Sequence, residues 1–271
     1  MAPPFTEQQQ RRRRAGLALS MIALAVLAVL ALAGALVVSH YITSAPAPAP
    51  APPRPGPAPD TGGWDLAAEH ALATAPMVAL PPQSAQPQPM TTERAGDPIV
   101  VPPAGQTAGR WVAGGFPSTP EGALGQLKVL DEAAMRGGDP ATYALGYRTL
   151  ALPGAPQPEN TGLYSLLRSM RSSAGLNPTG PLPDLTVTYQ VTHGQIKGVV
   201  DDGRYVVACV LGQLSVDYQG QTLTAGVGDC QALRHVGGDW RISPGPLAAP
   251  APCAWPGSAD AVHAGYRDLR S

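Results

Sequence analysis

The chain has 271 residues and a formal net charge of −1, so its overall balance gives no reason to expect nucleic acid as a partner. It carries 32 Pro and 31 Gly, with the prolines crowded into the first half, which excludes a packed core along the whole length. What remains is one compact domain in the second half, long enough at roughly 150 residues to bury a core of its own.

The first fourteen positions read as a cytoplasmic basic tail, and 15–42 as a transmembrane helix. From Ala15 to Ser39 no side chain is charged, and Leu, Ala, Val, Ile and Met fill nearly every position. A helix rising ~1.5 Å per residue needs ~20 such residues to cross a bilayer. Arg11, Arg12, Arg13 and Arg14 stand directly before this run, and no Lys or Arg occurs from His40 to Pro53. The positive-inside rule then keeps the N-terminus in the cytoplasm and sends the rest across. A cleaved signal peptide is the competing reading, but its apolar core is usually ~7–15 residues. The arginine run is a topology signal with some affinity for anionic lipid rather than a nucleic-acid contact.

Residues 43–109 read as an extracytoplasmic stalk and tether. APAPAPAPPRPGPAP, at 45–59, fixes its backbone at every Pro and biases each preceding residue toward extended conformations. The result is a stiff spacer on the order of 45 Å long. A short helix is predicted near 64–75, with Trp64, Leu66, Ala67, Ala71 and Leu72 on one face and Pro76 as its stop. It is either a partner-docking peptide anchored by Trp64, Leu66 and Leu72, or a strap on its own domain. Residues 81–108 read as loop.

The folded domain is expected at 110–250. FPSTPEG starts a helix: Ser118 or Thr119 caps it, Pro120 occupies the first turn without losing a hydrogen bond, and Glu121 stands at capping-box spacing from Ser118. Leu124, Leu127, Val129, Leu130 and Ala134 supply its apolar face, and Gly137-Gly138 ends it. A second helix is predicted from Asp139-Pro140 to Leu150, with Tyr143 and Tyr147 one turn apart. A third runs from about Asn160 to Ala174, with Leu163, Leu166, Leu167 and Met170 inward and Arg168 and Arg171 outward.

After Asp184 the apolar period falls to two. Strands are predicted from Leu185 to Val191 and from Gln195 to Val200, interrupted by a bulge or turn at His193-Gly194, then from Tyr205 to Tyr218 and Gln221 to Val236. Asp202-Gly203, Gln219-Gly220 and Gly237-Gly238-Asp239 are the turns, and Trp240-Arg-Ile is the last strand. The fold class is α+β, three helices packed on a curved antiparallel sheet. In the tail, 251–271, a short helix is expected from Ser258 to Leu269, covering the sheet edge.

Of the three cysteines, Cys209 and Cys230 fall opposite each other if Gln219-Gly220 is a two-residue turn. They then occupy a non-hydrogen-bonded pair, within reach of a disulfide. A bulge at Gly226 or Gly228 would shift that register. The rival pairing is Cys230 with Cys253, and three free thiols are the third possibility.

Catalytic, cofactor and metal residues are not expected. His40, His70, His193, His235 and His263 are scattered, and no metal or nucleotide-binding motif is present. Asp201-Asp202 read as turn chemistry. Tyr143, Tyr147, Asp217 and His235 are the residues that could line a cavity between helices and sheet.

The helix start FPSTPEGALGQL and the terminal GGDWRI resemble the nuclear-transport-factor-2-like, or cystatin-like, cone superfamily. Together with the anchor and stalk, the whole is similar to the TcpC family of conjugation proteins and to bitopic assembly-factor subunits of type IV secretion systems. WDLAAEHALATAPMVALP also looks like actinobacterial membrane proteins of conjugation-like clusters. This resemblance implies a non-enzymatic scaffold on the membrane, forming homo-oligomers and contacting other membrane or envelope subunits. The alternatives are a small-ligand-binding or enzymatic cone domain and a cell-envelope structural protein; the identity of any small-molecule ligand stays open.

Overall fold

A computed structural model describes residues 63–106 and 111–271. The tail with Arg11 to Arg14, the apolar run and the Pro-Ala stretch lie outside the described residues. Among the described residues no helix is long and apolar enough to cross a membrane.

The elements run α1 (Leu66–Thr74), β1 (Ile99–Val100), α2 (Pro120–Ala134), α3 (Pro140–Leu150), α4 (Gly162–Ser173), β2 (Leu185–Val200), β3 (Tyr205–Tyr218), β4 (Gln221–Val236), β5 (Asp239–Ile242), α5 (Ala259–His263) and β6 (Arg267–Arg270). Short 3-10 turns join several of them. One curled sheet holds the strands in the order β1-β6-β2-β3-β4-β5. The fold is α+β, with α2 lying across the concave face formed by β2, β3 and β4.

The helix starts follow from their caps. Thr119 accepts a hydrogen bond from the Gly122 amide and Pro120 takes the first turn. The cap is therefore one residue later than a Ser118–Glu121 capping box requires. Asp139 caps α3 and Thr161 caps α4. Leu124, Leu127, Leu130, Leu163, Leu166, Leu167 and Met170 all turn inward and are buried. Each such side chain contributes about 1.5–3 kcal/mol on leaving water. Trp240 of β5 joins them, donating from Nε1 to the Pro117 carbonyl at 2.8 Å and so pinning the entry of α2 to the sheet.

Arg171 departs from the expectation of an outward side chain. It is 0 % exposed, with Nε donating to the Gly138 carbonyl at 2.6 Å and Nη1 to that of Asn177 at 3.0 Å. The guanidinium ties off the two turns that end α2 and α4. Helical periodicity alone does not show this, because those carbonyls lie beyond the helix that carries Arg171.

In the sheet, β3 and β4 pair without a slip from Tyr205↔Arg234 to Tyr218↔Gln221. Gln219 and Gly220 both have positive φ, 50° and 79°, as a two-residue turn matched to strand twist requires. Strand β2 is continuous through His193-Gly194, and its register slips instead at Thr192 and Lys197. Each slip swaps the faces, so Val187, Tyr189 and Val191 point inward before the first and Gly194 and Ile196 after it. The β2–β3 connection is a four-residue loop at 201–204 rather than a two-residue Asp202-Gly203 turn, since Val200 pairs with Tyr205.

The last strand is not Trp240-Arg-Ile. The helix expected from Ser258 to Leu269 stops at His263, and Arg267–Arg270 becomes β6, paired with His193 and Gly194 of β2 on one side and with β1 on the other. The tail reaches this position by lying flat on the outer face of β4. A Cβ at Gly226 would stand 1.8 Å from the Ala254 carbonyl oxygen, and one at Gly228 would stand 2.5 Å from that of Pro252. These glycines make room for the tail and do not form bulges.

Much of the stretch 63–106, read as tether and loop from sequence, packs on the same outer face beside the tail, while Ile99–Val100 forms the edge strand β1 and Ile99 enters the main core. Backbone bonds join the two: Ala249 N to Ala73 O at 2.8 Å, Trp255 N to Ser84 O at 2.6 Å, Thr91 N to Gly257 O at 2.9 Å and Val101 N to Arg270 O at 2.7 Å. Two small apolar clusters result. One holds Cys209, Leu211, Cys230, Ala254 and Tyr266 beneath the tail; the other holds Ala73, Tyr205, Val207 and Ala232 beneath α1.

Candidate functional site

Cys209 and Cys230 sit opposite each other in the β3–β4 ladder and form a disulfide, with Cα atoms 4.1 Å apart. Cys253 is the remaining thiol, so the Cys230–Cys253 pairing is not formed. Its Sγ accepts from the Gly228 amide at 3.4 Å, and burial pushes its pKa up to about 11. The thiolate is the reactive form, so Cys253 is a poor nucleophile in the folded chain. Non-reducing peptide mapping is expected to return Cys209 linked to Cys230. Alkylation of Cys253 by iodoacetamide should be slow until denaturant is added; rapid alkylation in the native state would contradict the placement.

Helix α1 is held to the sheet by charge rather than by an apolar stripe. Glu69 is buried and meets Arg234 of β4 through two contacts, one of them Nε to Oε1 at 2.9 Å. Burial pushes the Glu69 carboxyl up, against the lowering influence of Arg234. Two guanidinium groups lie over the Trp64 ring, Arg204 at 4.5 Å and Arg234 at 4.4 Å from its centroid. Tyr205 Oη donates to the Glu69 carbonyl at 3.2 Å, and Lys197 Nζ donates to the carbonyls of Ala73 and Ala75. Of the three side chains considered as partner anchors, Trp64 is in this clasp, Leu72 packs over Gly198, and Leu66 is 50 % exposed. The segment is a strap on its own domain.

An apolar patch lies on the helix layer. The six-membered ring of Trp111 covers Gly146 of α3, where a Cβ would stand only 2.1 Å from the ring. Trp111 is 45 % exposed, and the adjacent Leu145 is 58 % exposed.

Between the helices and the concave face lies a cluster of buried polar groups. Asp131 of α2 is 0 % exposed, and neither of its carboxylate oxygens has a hydrogen-bond partner. Asp229 of β4 accepts from Gln231 Nε2 at 2.9 Å and from the Cys230 amide. Tyr143 and Tyr147 of α3 are fully buried with their rings 6.2 Å apart, and the Tyr147 hydroxyl is unpartnered. Tyr189 of β2 also belongs to this interior, its hydroxyl donating to the Val227 carbonyl at 2.7 Å. Burial first, then the neighbouring Asp229 and Glu132 charges, drive the Asp131 carboxyl well above the ordinary range. Burial raises Asp229 to about 6 and Tyr147 well above its usual value.

Tyr143 and Tyr147 therefore line the helix–sheet interior as their spacing suggests. Asp217 does not: it is exposed and bonded to Thr222. His235 packs edge-on against Trp240. Asp201 and Asp202 occupy the β2–β3 turn, with Asp201 Oδ1 also accepting from the Asp65 amide at 2.8 Å. His193 joins two strands, with Nε2 3.0 Å from Asp268 Oδ1 of β6. Among the described residues no group of three or more His, Cys, Asp or Glu gathers as metal ligands. Asp131 and Asp229 were not singled out by the sequence reading, although Asp131 stands seven residues after Leu124, on the apolar face of its helix. No family model, curated protein or solved structure matches the chain.

Proposed function

We propose that the chain is a non-enzymatic, membrane-anchored assembly subunit of a conjugation-like or type IV secretion-like machine, with its folded domain held outside the cytoplasm. In this reading the Arg11–Arg14 tail and the apolar run form an N-in anchor, the Pro-Ala stretch is the spacer, and the domain is a nuclear-transport-factor-2-like cone. Its partners are further copies of itself and other membrane or envelope subunits. The bridged Cys209–Cys230 pair suits an oxidising compartment.

The observation that carries the reading is the Trp111–Leu145 patch. The strap and the tail already cover the outer face of the sheet. Pro98 and Pro102 flank β1, and Leu152 N bonds to the Ile242 carbonyl of β5, so both sheet edges are partly closed. An exposed Trp seated on a rigid helix beside an exposed Leu has the character of an interface anchor.

The test is capture of full-length protein from its native membrane after mild crosslinking, beside a Trp111→Ala/Leu145→Glu variant. The wild type should return with copies of itself and with envelope subunits, and the variant should return at least ~10-fold less of them at an unchanged melting temperature. A wild type that comes back alone from repeated preparations would sink the proposal. The alternative of a small-ligand-binding cone draws its support from the unpartnered polar atoms around Asp131.

A further inference from the structure

The Asp131–Asp229 interior is short of both hydrogen-bond donors and positive charge. The charges that bear on Asp131 are those of the Asp229 and Glu132 carboxylates, and Asp229 accepts from the neutral Gln231 side chain and the Cys230 amide. Lys128 pairs with Glu132 and Arg234 with Glu69, while Arg171 donates to two backbone carbonyls and its Nη2 finds no partner of its own. Tyr147 carries a donor and Asp131 carries free lone pairs, yet both stand alone at full burial. Groups that would bond if they could reach each other are being held apart. Buried polar atoms are rarely left in this condition, and a guest that bridges them is one of the few ways of satisfying them.

We propose that the buried cluster of Asp131, Asp229, Tyr143 and Tyr147 is a binding site for a small hydrogen-bond-donating cation, namely ammonium or the head of a primary amine. The chemistry of the lining selects this class. The carboxylates accept N–H bonds and supply opposite charge, and charge-assisted bonds of this kind are about twice as strong as neutral ones. The tyrosine rings offer electron-rich faces and their hydroxyl oxygens offer further acceptors. Water alone would satisfy the bonds but not the charge. A divalent metal is a poorer fit, because it would find only two carboxylates here among the described residues. This site does not depend on the assembly reading.

The test is equilibrium dialysis of radiolabelled methylammonium against the full-length chain in detergent. Expected is saturable uptake of a single equivalent, displaced by ammonium and not by tetramethylammonium, which has the charge but no N–H. Asp131→Asn keeps the shape and removes the charge, and should weaken binding about 10–100-fold. Tyr147→Phe removes only a hydroxyl and should weaken it several-fold, which decides the matter if the first variant does not fold. Absence of saturable uptake by the wild type would overturn the site, as would equal displacement by tetramethylammonium or full binding by the folded Asp131→Asn chain.

Discussion

Replacing Glu69 by Ala is expected to cost the domain about 3–5 kcal/mol, because it leaves the Arg234 guanidinium buried without its counter-charge. In a domain of this size that lowers the melting temperature by roughly 10 °C. The loss exceeds that of an ordinary surface ion pair, since the two side chains are only 4 % and 10 % exposed. Arg234 also supports Trp64, so the clasp should fail as a unit: α1 should lose hydrogen-exchange protection well before β3 or β4 does. The double variant Glu69→Leu/Arg234→Met should recover most of the stability, because an apolar pair carries no desolvation cost. A single variant that melts with the wild type would show that α1 does not contribute to the stability of the domain.

Asp131→Asn is expected to act in the opposite direction and to stabilise the guest-free chain by about 1–3 kcal/mol at neutral pH, since it keeps the volume while sparing the folded chain a buried, unpartnered carboxyl whose proton the unfolded chain has already released. The pH dependence follows from linkage. Both carboxyls are raised in the folded chain, Asp229 to about 6 and Asp131 well above its ordinary value, so the folded chain holds protons that the unfolded chain has released. Their contribution to stability is greatest below the unfolded carboxyl range near pH 4. It declines as pH rises through the folded values and is level above them. Glu69, also raised, adds to this decline; His193, lowered by burial, works the other way and loses stability as pH falls below its ordinary value. Comparing variant with wild type at each pH isolates Asp131. The advantage of Asp131→Asn in melting temperature should be small at pH 4 and grow toward pH 7. A constant difference would mean that Asp131 is charged throughout and solvated in a way its surroundings do not suggest.

Much of the domain was legible because its signals are local. Helix starts at Thr119 and Asp139, a period-two run from Leu185 and a two-residue turn at Gln219-Gly220 each act within a few residues. The turn alone fixed the register that places Cys209 against Cys230. What stayed hidden depends on distant partners. Strand β6 is four residues long, and its pairing partners in β2 lie over seventy positions earlier in the chain, so no pattern announces it. Helix α1 docks through Glu69 and the small Ala73, which leaves no broad apolar stripe to read. Gly226 and Gly228 read as bulge positions, and only the tail lying over them shows that they are gaps left for a second backbone. Asp131 is the missed residue with a usable clue, a carboxylate at a core position of an amphipathic helix.

The bonds that tie the strap to the tail also set an order of events. Residues 63–106 emerge early in synthesis, but the groups that bond them at Ala249, Trp255, Gly257 and Arg270 follow their partners by more than 160 positions. Until then the part of the outer face that the tail covers stays bare, with Leu211 open to water. Contacts spanning such distances along the chain slow folding, since the loop must close before anything is gained. A nascent chain that stalls short of residue 249 would therefore be a substrate for chaperones, and the domain would lock only when residues 249–270 arrive.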